Sequence, residues 1–221
     1  MRRYGFPVAG NCCDPHGCDR FFSAGFARRR AARYRRGGLD RTAARMVDFL
    51  EQRGIVGASV LEIGGGVGEI QVELLRRGAG RAVNLELSPA YEPEAGRLLR
   101  AAGLDGRVER RLHDIAMDPD GVEPADVVVL HRVVCCYPDY ERLLSTAADH
   151  AGRMLVLSYP SSGAVARLLI AAENLTLRLR RMRFRVFAHP PARMLAVLRD
   201  RGLQPTLTPP GVAWQFAGLE R

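Results

Sequence analysis

Glycines occupy alternate positions 64, 66 and 68, directly after the short apolar run of residues 60–63. A turn that leaves a parallel strand has to let the backbone approach a ligand closely, and glycine has no side chain to block that approach. Dinucleotide-binding turns share this feature, but they usually carry an apolar residue where this chain has Glu62, and their G-x-G-x-x-G spacing is missing here. The segment therefore predicts a ligand-binding turn of a different kind.

Two further carboxylates follow the next two predicted strands. Glu86 ends the strand-like run of residues 82–85, where its oxygens are suitably placed to accept hydrogen bonds from a ribose diol. Asp114 follows residues 108–113, where it could meet an adenine amino group. Each carboxylate alone could be a solvated strand-end residue. Three of them at successive carboxyl ends indicate a nucleoside site, because open α/β sheets bind ligands at that edge.

The elements that would position these residues alternate along the chain. From residue 58 onward, β-rich apolar runs alternate with helical patterns, which is typical of βαβ units around a parallel sheet. We predict strands near residues 58–63, 81–86, 107–112, 125–130, 153–158, 204–208 and 212–219, and helices near 67–77, 90–102, 139–150, 162–180 and 190–201. The last two strands form a C-terminal β-hairpin. The predicted fold class is α/β, a Rossmann-like seven-stranded sheet with helices on both faces.

The first 54 residues differ in character from the rest. Residues 1–20 are rich in Gly, Pro, Cys and Asp and indicate a loop, whereas residues 21–54 show helical spacing of apolar residues, with Asp40 as a predicted N-cap. Gly37 and Gly38 are predicted to separate two helices. We therefore predict a Cys-containing loop and helical cap over residues 1–54, followed by one ligand-binding domain over residues 55–221 with an arginine-rich insertion at about 173–189.

Composition limits the classes of partner. The formal net charge is +9, but all 33 basic residues are arginine, which indicates the composition bias of a GC-rich bacterial source. A nucleic-acid partner is therefore not expected, although basicity is generally linked to polyanions. No apolar run approaches the roughly 20 residues that span a bilayer, and the N-terminus lacks the apolar core of a signal peptide. We expect a cytoplasmic protein without membrane insertion, whose five cysteines are not a disulfide framework.

The residues described above resemble the class I S-adenosylmethionine (AdoMet)-dependent methyltransferases over about residues 40–221. The matching motifs are residues 61–68, 85–87, 113–115 and 125–130. The resemblance implies AdoMet as the cofactor, with the following binding residues: Glu62, Gly64 and Gly66 at its methionine end and backbone turn, Glu86 at the ribose, Asp114 with Ile115 at the adenine, and Gly65, Gly68, Leu87 and His131 beside them.

A closer resemblance is to the magnesium-protoporphyrin O-methyltransferases. It is carried by Phe22, Gly25 and Phe26 with downstream Tyr34, by residues 133–138, and by residues 188–190 after an arginine-rich stretch. In that family a histidine precedes the Tyr-Pro pair, whereas this chain has Cys136 there. The resemblance implies methyl transfer to a small or amphipathic molecule, at oxygen, nitrogen or sulfur. The resemblance does not extend to the porphyrin acceptor of that family.

Methyl transfer from a sulfonium needs few catalytic groups. The acceptor atom must be aligned with the methyl group, and an oxygen acceptor must lose a proton. His131, at the end of the fourth predicted strand, is the preferred base because histidine titrates near neutrality; the alternative is that it only packs on the cofactor. Tyr34 could fold over the cofactor, as the cap tyrosine of similar methyltransferases does, or be a helix-surface aromatic. Cys136 is the third catalytic candidate.

All five cysteines fall into two clusters, Cys12, Cys13 and Cys18, and Cys135 and Cys136. If the N-terminal segment covers the cofactor cleft, both clusters could converge and bind a soft metal or metalloid through thiolates. Cys12, Cys13 and Cys18 are the predicted metal ligands; packing or redox thiols are the alternatives. A thiol-based metal, metalloid or redox sensor on an AdoMet-binding scaffold is the alternative function. The sequence leaves the acceptor and the oligomeric state open.

Overall fold

One seven-stranded sheet with flanking helices forms the framework of the computed structural model, which describes residues 20–209, 211 and 213–221. The strands are β1 Ser59–Ile63, β2 Arg81–Glu86, β3 Val108–Leu112, β4 Ala125–Leu130, β5 Ala151–Pro160, β6 Gln204–Leu207 and β7 Trp214–Glu220. The helices are α1 Ala24–Gly37, α2 Arg41–Gln52, α3 Glu69–Arg76, α4 Glu92–Ala102, α5 Tyr140–Asp149, α6 Ala164–Leu179 and α7 Pro191–Asp200. The seven predicted strands and their connecting helices are confirmed.

The strand order across the sheet is β3-β2-β1-β4-β5-β7-β6. Strands β1 to β5 pair in parallel, whereas β7 is antiparallel to both of its neighbours, β5 and β6. The chain order turns back beside β1, so β2 and β3 lie on one side of it and β4 and β5 on the other. Ligands of open α/β sheets bind outside the carboxyl ends of the strands at such a reversal. The predicted C-terminal hairpin, β6 with β7, is confirmed.

Alternate residues of the central strands face opposite layers of helices. In β4, Val127 and Val129 belong to the apolar core on one face, and Val128 and Leu130 to the core on the other. All four side chains are fully buried. A strand buried on both faces reads as a continuous apolar run, which is why β4 could be located from the sequence.

Helix α2 packs directly against the sheet. Asp40 is its N-cap and accepts hydrogen bonds from the backbone N–H groups of Thr42 and Ala43, both at 3.0 Å, as predicted. The helix buries an apolar stripe, and its Phe49 ring lies so close to β7 that a Cβ at Gly218 would be 2.3 Å from the ring. Glycine at position 218 lets α2 approach the strand.

The arginine-rich stretch after α6 has no helix or strand over residues 180–190. It is anchored by Phe184, which is 1% exposed and packs with Leu177 of α6. No helix in the described parts of the chain is both long and apolar enough to cross a bilayer.

Candidate active site

A cavity of about 330 Å³ lies at the carboxyl edge of the parallel strands. Its walls come from the turn after β1, the end of β2, and the segments that follow β3 and β4. Residues from the N-terminal side of α1 and from the stretch after α6 also line it. The predicted site residues on its walls are Glu62, Gly64, Gly65, Gly66, Glu86, Leu87, Asp114, Ile115, His131 and Cys136.

The glycine turn forms the wall between β1 and α3. Gly64 has a φ of 64°, in the left-handed region that favours glycine, and a Cβ there would lie 2.5 Å from Cγ2 of Val133. Gly66 donates its backbone N–H to Oε2 of Glu86 at 2.8 Å. Gly68 is not among the residues that line the cavity; it is the N-cap of α3. The ligand-facing part of the turn is therefore residues 64–66.

Gly65 is the position of this turn at which a methyl group would collide most directly. A Cβ would lie 2.0 Å from Nδ2 of Asn84 and 2.6 Å from Cδ of Glu62, and both side chains are buried. We therefore expect Gly65→Ala to lower the free energy of unfolding by about 1–3 kcal/mol, because a tightly packed site is overfilled. By calorimetric titration, AdoMet should bind it at least roughly tenfold more weakly.

The control for this variant is Gly106→Ala, since nothing lies within 4 Å of a Cβ at that position. We expect it to unfold at the same urea concentration as the original protein and to bind AdoMet equally well. If Gly65→Ala behaved like this control, the close approach of the turn to Glu62 would not matter for binding.

Glu62 is enclosed at the end of β1, with 1% of its surface exposed. Its Oε2 accepts a hydrogen bond from Nδ2 of Asn84 at 3.3 Å. Burial, and after it the negative charge of Glu69, raises the pKa of Glu62 to about 8, although the charge of Arg110 opposes the shift. This carboxyl group is protonated at neutral pH and would ionise beside a cation. The α-ammonium group of AdoMet is such a cation, so Glu62 fits the methionine end of the cofactor.

Glu86 is held rigidly at the end of β2. Its Oε1 accepts the backbone N–H groups of Leu87 and Ser88 at 2.8 and 3.1 Å, and its Oε2 accepts that of Gly66. Burial raises the pKa of Glu86, although these three hydrogen bonds lower it. A carboxylate has about four acceptor sites, and three are already used, so Oε2 retains capacity for one hydroxyl of a ribose diol.

Asp114 lies just beyond β3 and is fixed by Tyr137. The Tyr137 hydroxyl lies 3.2 and 3.1 Å from the two carboxylate oxygens and donates to this carboxylate. Burial raises the pKa of Asp114, although the hydrogen bond from Tyr137 opposes the shift. Ile115 is 1% exposed and lines the same part of the cavity, as does Leu87. Tyr137 was not among the predicted site residues; its sequence signal is the Tyr-Pro pair at positions 137–138.

Both ring nitrogens of His131 already have partners. Ser158 accepts the backbone N–H of Arg132 at 2.9 Å, which leaves its hydroxyl proton for Nδ1 of His131 at 3.0 Å. The Nε2 proton then points to Oδ2 of Asp40 at 3.4 Å. Burial lowers the pKa of His131, although Asp40 opposes this shift. A lowered pKa keeps the ring in the neutral form that a base needs, but both ring nitrogens are engaged in hydrogen bonds, which favours the packing alternative.

His131 belongs to a group of charged and polar side chains around Asp40, which we call the ionic cluster: Arg30, Asp40, His131 and Arg132. Oδ2 of Asp40 lies 3.0 Å from Nη2 of Arg132 and 3.6 Å from Nη2 of Arg30. Burial alone would raise the pKa of Asp40, but the hydrogen bond from His131, the backbone N–H of Ala43 and the charge of Arg132 together hold it well below its usual range. The cluster ties both N-terminal helices to the end of β4. The sequence predicted Asp40 only as a helix cap.

Arg132 has an unusual backbone and an aromatic partner. Its φ is 61°, a left-handed conformation that is uncommon outside glycine. The guanidinium lies 4.7 Å from the ring centroid of Trp214, at the start of β7. Both residues line the cavity, and neither is among the site residues predicted from the sequence, because no motif marks them.

Tyr34 lies away from the cavity. Its hydroxyl donates to Oε1 of Glu73 on α3 and accepts a hydrogen bond from Nη1 of Arg76 at 3.2 Å. These hydrogen bonds link α1 to α3. The Tyr34 side chain is buried, and it is not among the residues that line the main cavity. The structure therefore does not bring Tyr34 together with the other predicted site residues at the cavity.

Two of the five cysteines lie at the cavity. The Sγ atoms of Cys135 and Cys136 are 3.6 Å apart, well beyond a disulfide bond, and both lie 3.6 Å from the backbone oxygen of Arg132. The predicted metal ligands Cys12, Cys13 and Cys18 lie outside the described residues. Within residues 20–209, 211 and 213–221, no group of three or more His, Cys, Asp or Glu side chains could hold a metal ion.

An aromatic wall closes one side of the cavity. Phe21 stacks on Phe184 with centroids 4.2 Å apart, and Phe22 meets the same ring edge-on at 5.2 Å. Phe26 and Tyr91 continue this wall, with centroids 6.4 Å apart. The resemblance had singled out Phe22 and Phe26, but the contact with Phe184 joins segments more than 150 residues apart and has no signal in the sequence.

Comparisons with known proteins place the chain among methyltransferases. Residues 31–206 match the family described as a methyltransferase domain. Magnesium protoporphyrin IX methyltransferase from Synechocystis PCC 6803, with bound SAH, is similar in structure: the identity is 21%, the match covers 92% of this chain and 97% of that chain, and the TM-score is 0.72. No curated protein matches the chain by sequence.

Two further solved structures have a similar fold. An O-methyltransferase family protein from Burkholderia thailandensis is 22% identical, with 83% of this chain and 57% of that chain covered and a TM-score of 0.66. An O-methyltransferase family 2 protein from Planctomyces limnophilus DSM 3776, in complex with apigenin, is 20% identical, with 89% and 61% covered and a TM-score of 0.67. At these identities the likeness shows the shared fold.

Proposed function

We propose that this chain, which belongs to the methyltransferase-domain family, transfers the methyl group of AdoMet to a small or amphipathic acceptor. Family membership makes the chain an AdoMet-dependent methyltransferase; the acceptor and the roles of individual residues are the proposal. The observation that supports it best is that Glu62, Glu86 and Asp114, from three successive strands, line a single cavity.

The proposed cofactor contacts follow from the chemistry of each side chain. Glu62 would pair with the α-ammonium group, and Oε2 of Glu86 would accept a hydrogen bond from a ribose hydroxyl. Asp114 would accept one from the adenine amino group, between Leu87 and Ile115. The backbone of residues 64–66 would pass close to the methionine end. When bound, AdoMet supplies a methyl group on a sulfonium, which is electrophilic without further activation.

The proposed acceptor side is the aromatic wall together with Trp214 and Cys136. An apolar, aromatic surface suits a flat or amphipathic molecule, whose ring system would stack there. Because both nitrogens of His131 are engaged, we propose that His131 holds Asp40 and the end of β4 in position and does not remove a proton. The main contribution of the protein is then alignment of the acceptor oxygen, nitrogen or sulfur atom with the methyl group.

Calorimetric titration with AdoMet and with NADH tests the proposal. We expect AdoMet to bind and NADH not to bind. Glu86→Ala should weaken AdoMet binding by roughly 10- to 100-fold, because hydrogen bonds to a charged group contribute about 1.5–3 kcal/mol. The matched control is Glu109→Ala, on the neighbouring strand β3, since that carboxylate is exposed.

Two results would contradict the proposal. One is tight binding of NADH without binding of AdoMet; the other is equal AdoMet affinity in Glu86→Ala and the original protein. Incubation with methyl-labelled AdoMet and a panel of carboxylic acids, phenols, amines and thiols then identifies the acceptor atom from the labelled product.

A further inference from the structure

Helix α6 exposes large apolar side chains to an unusual extent. Five of them are between 57% and 77% exposed: Val165, Leu168, Leu169, Leu175 and Leu179. We call these five residues the α6 stripe. Elsewhere in the described parts of the chain, the exposed large apolar residues are isolated, at Val56, Leu112 and Leu207. Single exposed apolar residues are ordinary, but a contiguous group of them marks an interaction surface.

The stripe is a continuous face of the helix. Val165 lies three and four residues before Leu168 and Leu169. Leu175 lies seven residues after Leu168 and four before Leu179, and these spacings place all five on one side of an α-helix. The buried residues of α6, Ala166 and Leu177, lie on a different side and pack toward the protein. Helix α6 is therefore apolar on two sides, one that attaches it to the protein and one that faces outward.

Arginines border the outward face. Arg167, Arg178, Arg180 and Arg181 are exposed on α6 or directly after it. Glu173 is the single acidic residue of the helix. We propose that the α6 stripe docks on the surface of an anionic lipid bilayer, with its leucines in the interface and its arginines at the headgroups. An apolar face with basic edges is typical of helices that lie in a membrane interface.

Charge favours a bilayer over a second copy of this chain as the partner. A symmetric dimer through the stripe would bring the arginine edges of both copies close together, and like charges at an interface are unfavourable. An anionic bilayer offers the complementary sign, so each arginine near its surface strengthens the attraction. The overall charge of +9 acts in the same direction.

The geometry indicates peripheral docking. At 16 residues, α6 is shorter than the roughly 20 apolar residues needed to span a bilayer, so it would lie in the plane of the interface. Glu173 of α6, and Phe184 and Val186 just after it, line the cavity. Docking would place this side of the cavity close to the lipid, where an amphipathic acceptor could enter. That last step depends on the proposed function, whereas binding to vesicles does not.

Co-sedimentation with lipid vesicles tests this proposal. We expect the full chain to bind vesicles of phosphatidylcholine with about one-third phosphatidylglycerol at least roughly tenfold more tightly than vesicles of phosphatidylcholine alone. The double variant Leu168→Gln/Leu169→Gln should lose roughly 100-fold in vesicle affinity, because two leucine side chains would no longer enter the bilayer interface. Arg178→Gln/Arg180→Gln should lose most of the preference for anionic vesicles.

The matched control is Val56→Gln/Leu112→Gln, which replaces two exposed apolar residues outside α6 and should bind vesicles normally. AdoMet titration of every variant checks that the fold is intact and reports on the proposed function separately. No binding of the original protein to anionic vesicles would overturn the proposal, and so would unchanged binding of the leucine variant. A dimer in analytical ultracentrifugation that Leu168→Gln/Leu169→Gln dissociates would also overturn it, because a second copy would then cover the stripe.

Discussion

Glu62→Gln should weaken AdoMet binding by roughly 100-fold above pH 8 and by much less at pH 6. Above pH 8, Glu62 is ionised and pairs with the cofactor ammonium, an interaction that glutamine cannot replace. Below pH 8, the original protein must first lose the proton from this carboxyl group, whose pKa is raised to about 8 chiefly by burial. Its affinity should therefore fall roughly tenfold per pH unit toward that of the variant.

Proton release provides a direct measurement of the same effect. At pH 7, binding of AdoMet should release close to one proton per molecule, which calorimetry in buffers of different ionisation enthalpy detects. Glu62→Gln should release almost none, whereas the exposed control Glu109→Gln should behave like the original protein. An AdoMet affinity independent of pH between 6 and 8, with no proton released, would show that Glu62 is not the partner of the ammonium group.

The stability of the cofactor-free protein should show the opposite dependence on pH. The folded pKa of Glu62 lies above its unfolded value, so the folded state holds the proton more tightly. The contribution of Glu62 to stability is therefore complete below about pH 4.5 and is lost as the pH rises toward 8. Urea unfolding of Glu62→Gln should lack this decline.

Asp40→Asn should lower the free energy of unfolding by roughly 2–3 kcal/mol at pH 7, between the values for exposed and for fully buried ion pairs. Asparagine is a good N-cap, so the hydrogen bonds from Thr42 and Ala43 should persist and the loss should come from charge. Without the carboxylate, Arg132 and Arg30 would lie near one another without their shared counter-ion. Urea unfolding monitored by circular dichroism measures this loss.

Acid unfolding gives a second signature of Asp40. Its folded pKa lies below the ordinary value because of His131, Ala43 and Arg132. Its contribution is therefore present above about pH 4 and is lost as the pH falls further. Asp40→Asn should unfold with a flatter dependence below pH 4. The control is Asp149→Asn, whose half-exposed pair with Arg201 contributes about 0–1 kcal/mol. Equal losses in both variants would mean that the ionic cluster does not anchor the N-terminal helices.

The fold could be predicted from the sequence because its pattern is local. Strand β4 is buried on both faces and reads as a run of valines and leucines, and Asp40 lies directly before its helix. The shared position of Glu62, Glu86 and Asp114 could also be predicted, because carboxyl ends of parallel strands meet at one edge. Their individual contacts with AdoMet remain predictions.

The partners of the site residues could not be predicted, because they come from distant parts of the chain. His131 lies 91 residues after Asp40 and 27 residues before Ser158. These two partners occupy both ring nitrogens of His131, the residue predicted from the sequence as the preferred base. Tyr34 lies on the expected helix, but the direction of its ring depends on how α1 packs against Glu73. The spacing of the α6 leucines does not by itself distinguish an outward face from a core face.

The walls of the cavity divide unequally along the chain. The proposed AdoMet contacts fall within one continuous stretch, residues 62–115. The proposed acceptor side has only Tyr91 in that stretch and is otherwise assembled from residues 21–26, 136, 184 and 214. Substitutions in these scattered segments can therefore reshape the acceptor side while the continuous stretch stays intact. If these segments were exchanged between relatives with the same sheet, the chimaera should take the acceptor preference of the protein that supplied them and still use the same methyl donor.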